Sequence, residues 1–149
     1  MATRRAGPDD VAALAHLRWE WRVGERGESG LSEVELLDAM TRWFGEHQES
    51  NLAWLAERDS KPVGMAWLAI VPRLPSPAAP VRLAGNVQSV YVKAAHRGHG
   101  LGAQLIEAIV AESRQRGLEY MYLHSSEKAV PLYRRAGFQP PRRTLEMDL

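Results

Sequence analysis

Residues His96 to Leu105, HRGHGLGAQL, place Gly98, Gly100 and Gly102 within five positions, directly ahead of a stretch with helical spacing. Glycine tolerates positive φ and carries no Cβ, so neighbouring backbone N–H groups can turn toward one point. A helix that starts here leaves its first four N–H groups without internal acceptors. Together these make a cradle for an anion, phosphate above all, and Arg97 adds a full positive charge beside it. A glycine turn that only packs strand to helix has the same spelling. Further along, Tyr133 stands among apolar residues and His124 ends the run EYMYLH. By spacing alone, Tyr133 fits the buried side of a short helix with Ala129, Leu132 and Ala136, and His124 a hydrogen-bonded strand end.

Several ligands are excluded. No Gly-x4-Gly-Lys-Ser/Thr run exists, so a nucleotide held by a Walker A loop is out. Gly98, Gly100 and Ala103 do satisfy a G-x-G-x-x-A dinucleotide pattern. However, five residues separate Val92 from Gly98, the strand after the helix ends in His124 rather than an acid, and no second βαβαβ half follows. His96 and His99 stand three apart with no third ligand nearby, so no metal is expected. With no cysteine, thiolate nucleophiles and disulfides are excluded. No run of 18 apolar residues exists, and the basic start MATRRAG lacks the apolar segment of a secretory signal. A cytoplasmic protein with no membrane or nucleic-acid partner is expected.

The 149 residues suit one domain. ATRRA reads as a first strand. Gly7-Pro8 then opens a helix with Asp9 and Asp10 in its first turn and Val11, Leu14, Leu17 and Trp21 along one face. After the break GERGESG, Ser32 and Glu35 form a capping box for a helix with Val34, Leu37, Met40 and Phe44 along one face to about His47. LAWLAERD and KPVGMAWLAIV read as strands joined by a turn near Ser60, and RLAGNVQSVYV as a third strand ending at Val92. Between them PRLPSPAAP, with four prolines in nine residues, predicts a stiff extended loop rather than a strand. A helix from Ala103 with Leu105, Ile106, Ile109 and Val110 inward should stop at Gly117. EYMYLH is the next strand, Ser125 or Ser126 caps a short helix stopped by Gly137, and TLEMDL is a closing strand. The order predicts an α/β fold, a mixed sheet with helices on both faces.

The stretch VYVKAAHRGHGLGAQLIEAIVAE resembles the acetyl-CoA-binding core of the GNAT superfamily of N-acetyltransferases, with Arg97, Gly100 and Gly102 filling its R/Q-x-x-G-x-G/A signature. SEKAVPLYRRAGF is similar to the family's later motif, filled by Tyr133, Gly137 and Phe138, and the opening strand and helix are also similar. The resemblance is strong from about Val87 to Phe138 and weak between Arg22 and Asn51. It implies a single GNAT domain over residues 1–149 with a mostly antiparallel sheet. Acceptor-side helices would span about 8–48 and the acetyl-CoA core about 82–140. It further implies that Arg97, Gly98, His99, Gly100, Leu101, Gly102 and Ala103 hold the pyrophosphate, and that the pantetheine arm pairs with Val90, Tyr91 and Val92. Tyr133 would be general acid. Ser126 stands where the family often has asparagine. Many relatives carry a strand glutamate as base, but this strand offers only Asn86, Gln88 and Ser89. His124 is then the candidate base, with Glu20, Glu25 or Glu28 as alternatives from the acceptor side.

Between Glu20 and Glu49 eight acidic residues face three arginines, whereas Lys93 to Arg143 holds nine basic residues against four glutamates. With Trp19, Trp21 and Trp43 in the acidic half, the expected acceptor is a small cationic amine, drawn by charge and aromatic faces. Trp43, Trp54 and Trp67 also read as core. A peptide N-terminus is the alternative acceptor, and a non-catalytic acyl-CoA sensor the alternative function. A homodimer is left open.

Overall fold

The structure is a computed structural model that describes residues 2–149. The apolar runs form strands β1 (Ala2–Ala6), β2 (Asn51–Arg58), β3 (Lys61–Arg73), β4 (Arg82–Val92) and β5 (Met121–Tyr122), which make one sheet in that order. Successive pairs are antiparallel except β4–β5, which is parallel. The sheet is therefore mostly antiparallel, as the resemblance implies. The β2–β3 turn falls where expected: Asp59 (φ 52°) and Ser60 (φ 59°) both adopt the left-handed region that a two-residue hairpin requires.

Helices α1 (Val11–Trp19) and α2 (Glu33–His47) cover one face, and α3 (Leu101–Gln115) and α4 (Val130–Arg135) the other. A 3-10 turn at Pro8–Asp10 precedes α1, which widens into a π-helical segment, Glu20–Glu25. The capping box of α2 is made: Glu35 N–H donates to Ser32 Oγ (3.2 Å) and Ser32 N–H to Glu35 Oε2 (2.7 Å). Leu14, Leu17, Met40, Phe44, Leu55, Met65, Trp67 and Tyr91 fill the core under α1 and α2. Leu52, Trp54, Leu68, Val87, Leu101, Leu105, Ile106 and Ile109 fill the core under α3. No helix among the described residues is long and apolar enough to cross a membrane.

Four expectations are corrected. Helix α3 begins at Leu101, not Ala103, because Gly100 takes φ 81° and caps it. The expected loop gives up Pro72 and Arg73 to β3: past Ala69 that strand pairs with β4 alone, so a proline there breaks no second ladder. The strand expected over EYMYLH is only two residues long, because β5 leaves β4 after Asn86↔Tyr122. The closing strand TLEMDL does not form. The tail follows Pro140 and Pro141, so short a β5 offers little ladder to extend, and Leu145 and Met147 lie exposed.

Candidate active site

Strand β4 is where the site begins. Its β3 edge is paired over nearly its whole length, but its β5 edge is paired only at Gly85 and Asn86. Close approach of β5 depends on Gly85, since a Cβ there would meet Leu118 Cδ1 and Leu68 Cδ1 at 2.9 Å. From Val87 to Val92 the β5-facing edge has no strand partner among the described residues. Such an edge can pair with an extended, amide-bearing arm through main-chain groups alone. Within the same stretch the β3–β4 register slips: Met65 opposes Tyr91 while Trp67 opposes Gln88, so Ser89 and Val90 stand against one residue of β3. Ser89 absorbs this bulge at φ 52°.

The chain then turns through Ala94–His96 into the glycine loop. Gly98 (φ 80°) and Gly100 (φ 81°) are both left-handed, and a Cβ at either would meet nothing within 4 Å, so the loop borders open space. Among the described residues the N–H groups of Gly98 through Ala103 find no acceptor, and the first helical bond runs from Gln104 N–H to Gly100 O (3.0 Å). Unpaired amides at a helix start are what a diphosphate needs. Arg97 is placed less simply than its sequence position suggests. Its Nη2 donates to both carboxylate oxygens of Glu25 (2.7 and 2.9 Å) and its Nε to Val92 O (2.8 Å), with the guanidinium over the Tyr91 ring. Arg97 thus braces the loop against the π-helical segment, and Glu25 offsets its charge. Tyr91 also donates to Glu25 Oε1 (3.2 Å), and burial, then the Glu25 charge, pushes its phenol up to about 12.

Tyr133 comes to the same end of the sheet. Helix α4 lies on the start of α3, where a Cβ on Gly102 would stand 3.3 Å from Leu132 Cδ2. Tyr133 is buried in the core that contains Leu101, Leu105 and Val87, with Val90 and Val92 packed against it, and its ring meets Phe138 edge-on. Burial raises its phenol pKa above the ordinary value, and its hydroxyl has no hydrogen-bond partner among the described residues. Ser126 caps the turn before α4 without a side-chain bond and is exposed. His124 is exposed too, with Nε2 2.8 Å from Glu146 Oε1 of the tail.

On the opposite face, Arg18, Met40, Trp43, Trp67, Gln88 and Ser89 line a cavity of about 180 Å³ against the β4 bulge. Trp67 is buried and Trp43 half-exposed, meeting edge-on, whereas Trp54 is buried on the other face beneath Arg5. Arg18 was not singled out by the sequence, because helical spacing puts it beside an apolar stripe and its partner Ser89 is 71 residues away. A larger cavity, about 330 Å³, lies between the end of α3, β5 and residues 136–139, and contains Ser113 and Phe138 but none of the loop residues.

Glycine loop, helix start, open β4 edge and buried α4 tyrosine define one family. The chain belongs to the Acetyltransferase (GNAT) family, whose model matches residues 11–138. It is 37% identical over 87 residues to a glucosamine 6-phosphate N-acetyltransferase of Trypanosoma brucei brucei, a match covering 58% of this chain and 57% of that protein. It is also 36% identical over 88 residues to a mycothiol acetyltransferase of Cellulomonas flavigena, covering 56% of this chain and 25% of that one. The matched stretch is thus about half of one relative and a quarter of the other. Its fold superposes on an acetyltransferase of Trypanosoma brucei with a TM-score of 0.74 at 26% identity, covering 99% of both chains. A Clostridium acetobutylicum protein described as a predicted acetyltransferase, solved with acetyl-CoA, superposes with a TM-score of 0.81 at 22% identity over 99% of this chain and 95% of that one.

Proposed function

We propose that this chain is an acetyl-CoA-dependent N-acetyltransferase acting on a small-molecule amine. The observation that carries this is the convergence of the unpaired amides of Gly98–Ala103, the unpartnered β4 edge and Tyr133 at one end of the sheet. The comparisons support it, since the relatives are named for glucosamine 6-phosphate and mycothiol, both small molecules. Acetyl-CoA supplies the acetyl group as a thioester. The loop amides hold its diphosphate, with Arg97 fixing the loop, and Val90 to Val92 pair with its arm. Backbone N–H groups at the bulge near Val90 stabilise the negative charge that develops on the carbonyl oxygen. As the amine nitrogen bonds to the carbonyl carbon, the carbon–sulfur bond breaks and Tyr133 gives its proton to the leaving sulfur. Its raised pKa keeps that proton in place until needed.

The amine must reach the thioester uncharged. The π-helical carboxylates are largely committed: Glu20 to His16 and Lys93, Glu25 to Arg97, and Glu28 to Arg22. The proton acceptor in our reading is His124 or a water chain. The decisive test is a panel of amines with acetyl-CoA, read by thiol release, with Tyr133→Phe as control. Thiol release that depends on both an amine and Tyr133 supports the reading, and its absence across the panel refutes it.

A further inference from the structure

We propose that the acceptor carries an anionic group, a carboxylate or phosphate, besides its amine, and that Arg18 receives that group in the cavity against the β4 bulge. The inference rests on the acetyltransferase reading and names its substrate class.

Charge accounting on this face leads to Arg18. The acidic surplus in the first half predicts attraction of a cation, yet the carboxylates of the π-helical segment are engaged by basic neighbours. Lys93 takes Glu20, Arg97 takes Glu25, Arg22 takes Glu28, and His16 lies between Glu20 and Glu33. Among the described residues Arg18 pairs with no carboxylate. Its one side-chain bond is from Nη1 to Ser89 Oγ (2.8 Å). A guanidinium has five donors in a planar fork and stays charged in proteins, so most of this fork is unused. The group is also partly withdrawn from water: burial acts most strongly against its charged form, Arg22 adds repulsion, and Glu28, already held by Arg22, is the opposing charge. A half-buried cation with free donors and no carboxylate bonded to it is matched by an anionic ligand group.

The remaining walls set size and position. Trp43, Trp67 and Met40 are apolar, while Gln88 and Ser89 are polar and belong to the bulged stretch of β4. A volume of about 180 Å³ slightly exceeds a cavity of about 150 Å³ that admits benzene. The space therefore suits the head of an amino acid or sugar rather than a folded partner. Ser89 both receives the Arg18 bond and lies in the bulge, so an anion on Arg18 places the rest of a short acceptor within reach of the backbone assigned to the thioester carbonyl.

Arg18 also steadies Ser89 in its left-handed conformation, so the test must separate charge from scaffolding. Arg18→Gln keeps a donor for Ser89 and removes the charge. Wild type and variant are assayed with acetyl-CoA on matched pairs: leucine against leucinamide for a carboxylate, and glucosamine 6-phosphate against glucosamine for a phosphate. In parallel, binding of the same compounds is followed by tryptophan fluorescence, since Trp43 and Trp67 line the cavity. The expected result is a preference of at least about tenfold for one anionic member, in turnover or in binding, that shrinks to about twofold or less in Arg18→Gln. The pair that shows it identifies carboxylate or phosphate. Equal use of the neutral members by wild type, a preference that survives in Arg18→Gln, or no Arg18-dependent binding of either anion overturns the proposal. Acetyl-CoA affinity measured on the same samples tests the acetyltransferase reading separately. Loss of that affinity in wild type would sink that reading, while intact affinity with no anion preference would sink only this one.

Discussion

Gly100→Ala isolates what the glycine loop does, because a second glycine supplies a matched control. Gly100 (φ 81°) caps the start of α3, and Gly117 (φ 71°) follows its end. A Cβ at either position meets no atom within 4 Å, so both substitutions are free of steric clash with the protein and share one source of strain, an alanine forced into left-handed backbone. That strain costs about 1–2 kcal/mol. In a chain of this length it lowers the melting temperature by about 2–8 °C, and both variants should show it alike. They should part company with acetyl-CoA. Only the Gly100 Cβ projects into the space assigned to the diphosphate, and we expect at least about a tenfold loss of affinity, or 1.4 kcal/mol. At a concentration about 100 times the wild-type Kd, ligand stabilises the fold by about 2.7 kcal/mol, and a tenfold weaker variant gains about half of that. Titration calorimetry and ligand-induced melting shifts should therefore agree: wild type and Gly117→Ala respond fully, Gly100→Ala about half as much. If the two variants bind acetyl-CoA equally, the unpaired amides are not the diphosphate site.

Tyr133→Phe should lower kcat by about 100-fold or more with acetyl-CoA affinity retained. Its folding stability should stay within about 0.5 kcal/mol of wild type by denaturant unfolding, because the hydroxyl has no protein partner to lose. Its raised pKa also predicts that wild-type activity is not lost to Tyr133 ionisation until the pH passes 10. Asp10→Asn should destabilise by about 1 kcal/mol at neutral pH, because Asp10 accepts two bonds from Arg4 (2.9 and 2.7 Å) and one from Gly7 N–H (2.8 Å). Arg4 holds the Asp10 pKa below its ordinary value, so this contribution is present above pH 4 and lost as pH falls through the folded-state pKa. Urea unfolding of variant and wild type should converge at low pH, and a gap that persists in acid refutes the pairing. Glu25→Gln should lower the Tyr91 pKa from about 12, since besides burial the Glu25 charge and hydrogen bond both hold the phenol protonated; phenolate absorbance during alkaline titration reads this.

Local rules wrote much of this molecule into its sequence. The Ser32–Glu35 box, the stops at Gly117 and Gly137 and the hairpin turn at Ser60 depend on bonds and dihedrals within a few residues, and each is found where its residues stand. The glycine loop was legible for the same reason, since unpaired amides at a helix start follow from backbone geometry alone. Tyr133 stands on α4 where its motif places it, although spacing alone favoured a plain core residue. Apart from the start of α3, which the Gly100 cap moves to Leu101, the differences are non-local. TLEMDL alternates like a strand, yet a strand needs a partner edge, and β5 offers only two residues of ladder. Arg97 reads as a free cation until Glu25, far away in sequence, is brought against it. Arg18 carries no local signal at all. Its setting depends on the β4 bulge that brings Ser89 to α1, and on the ion pairs that occupy Glu20, Glu25 and Glu28. Sequence alone determined where the backbone can cap, turn and leave amides free, since those are short-range properties. Only the tertiary structure decided which charges cancel, because cancellation depends on distances in space that no spacing along the chain encodes.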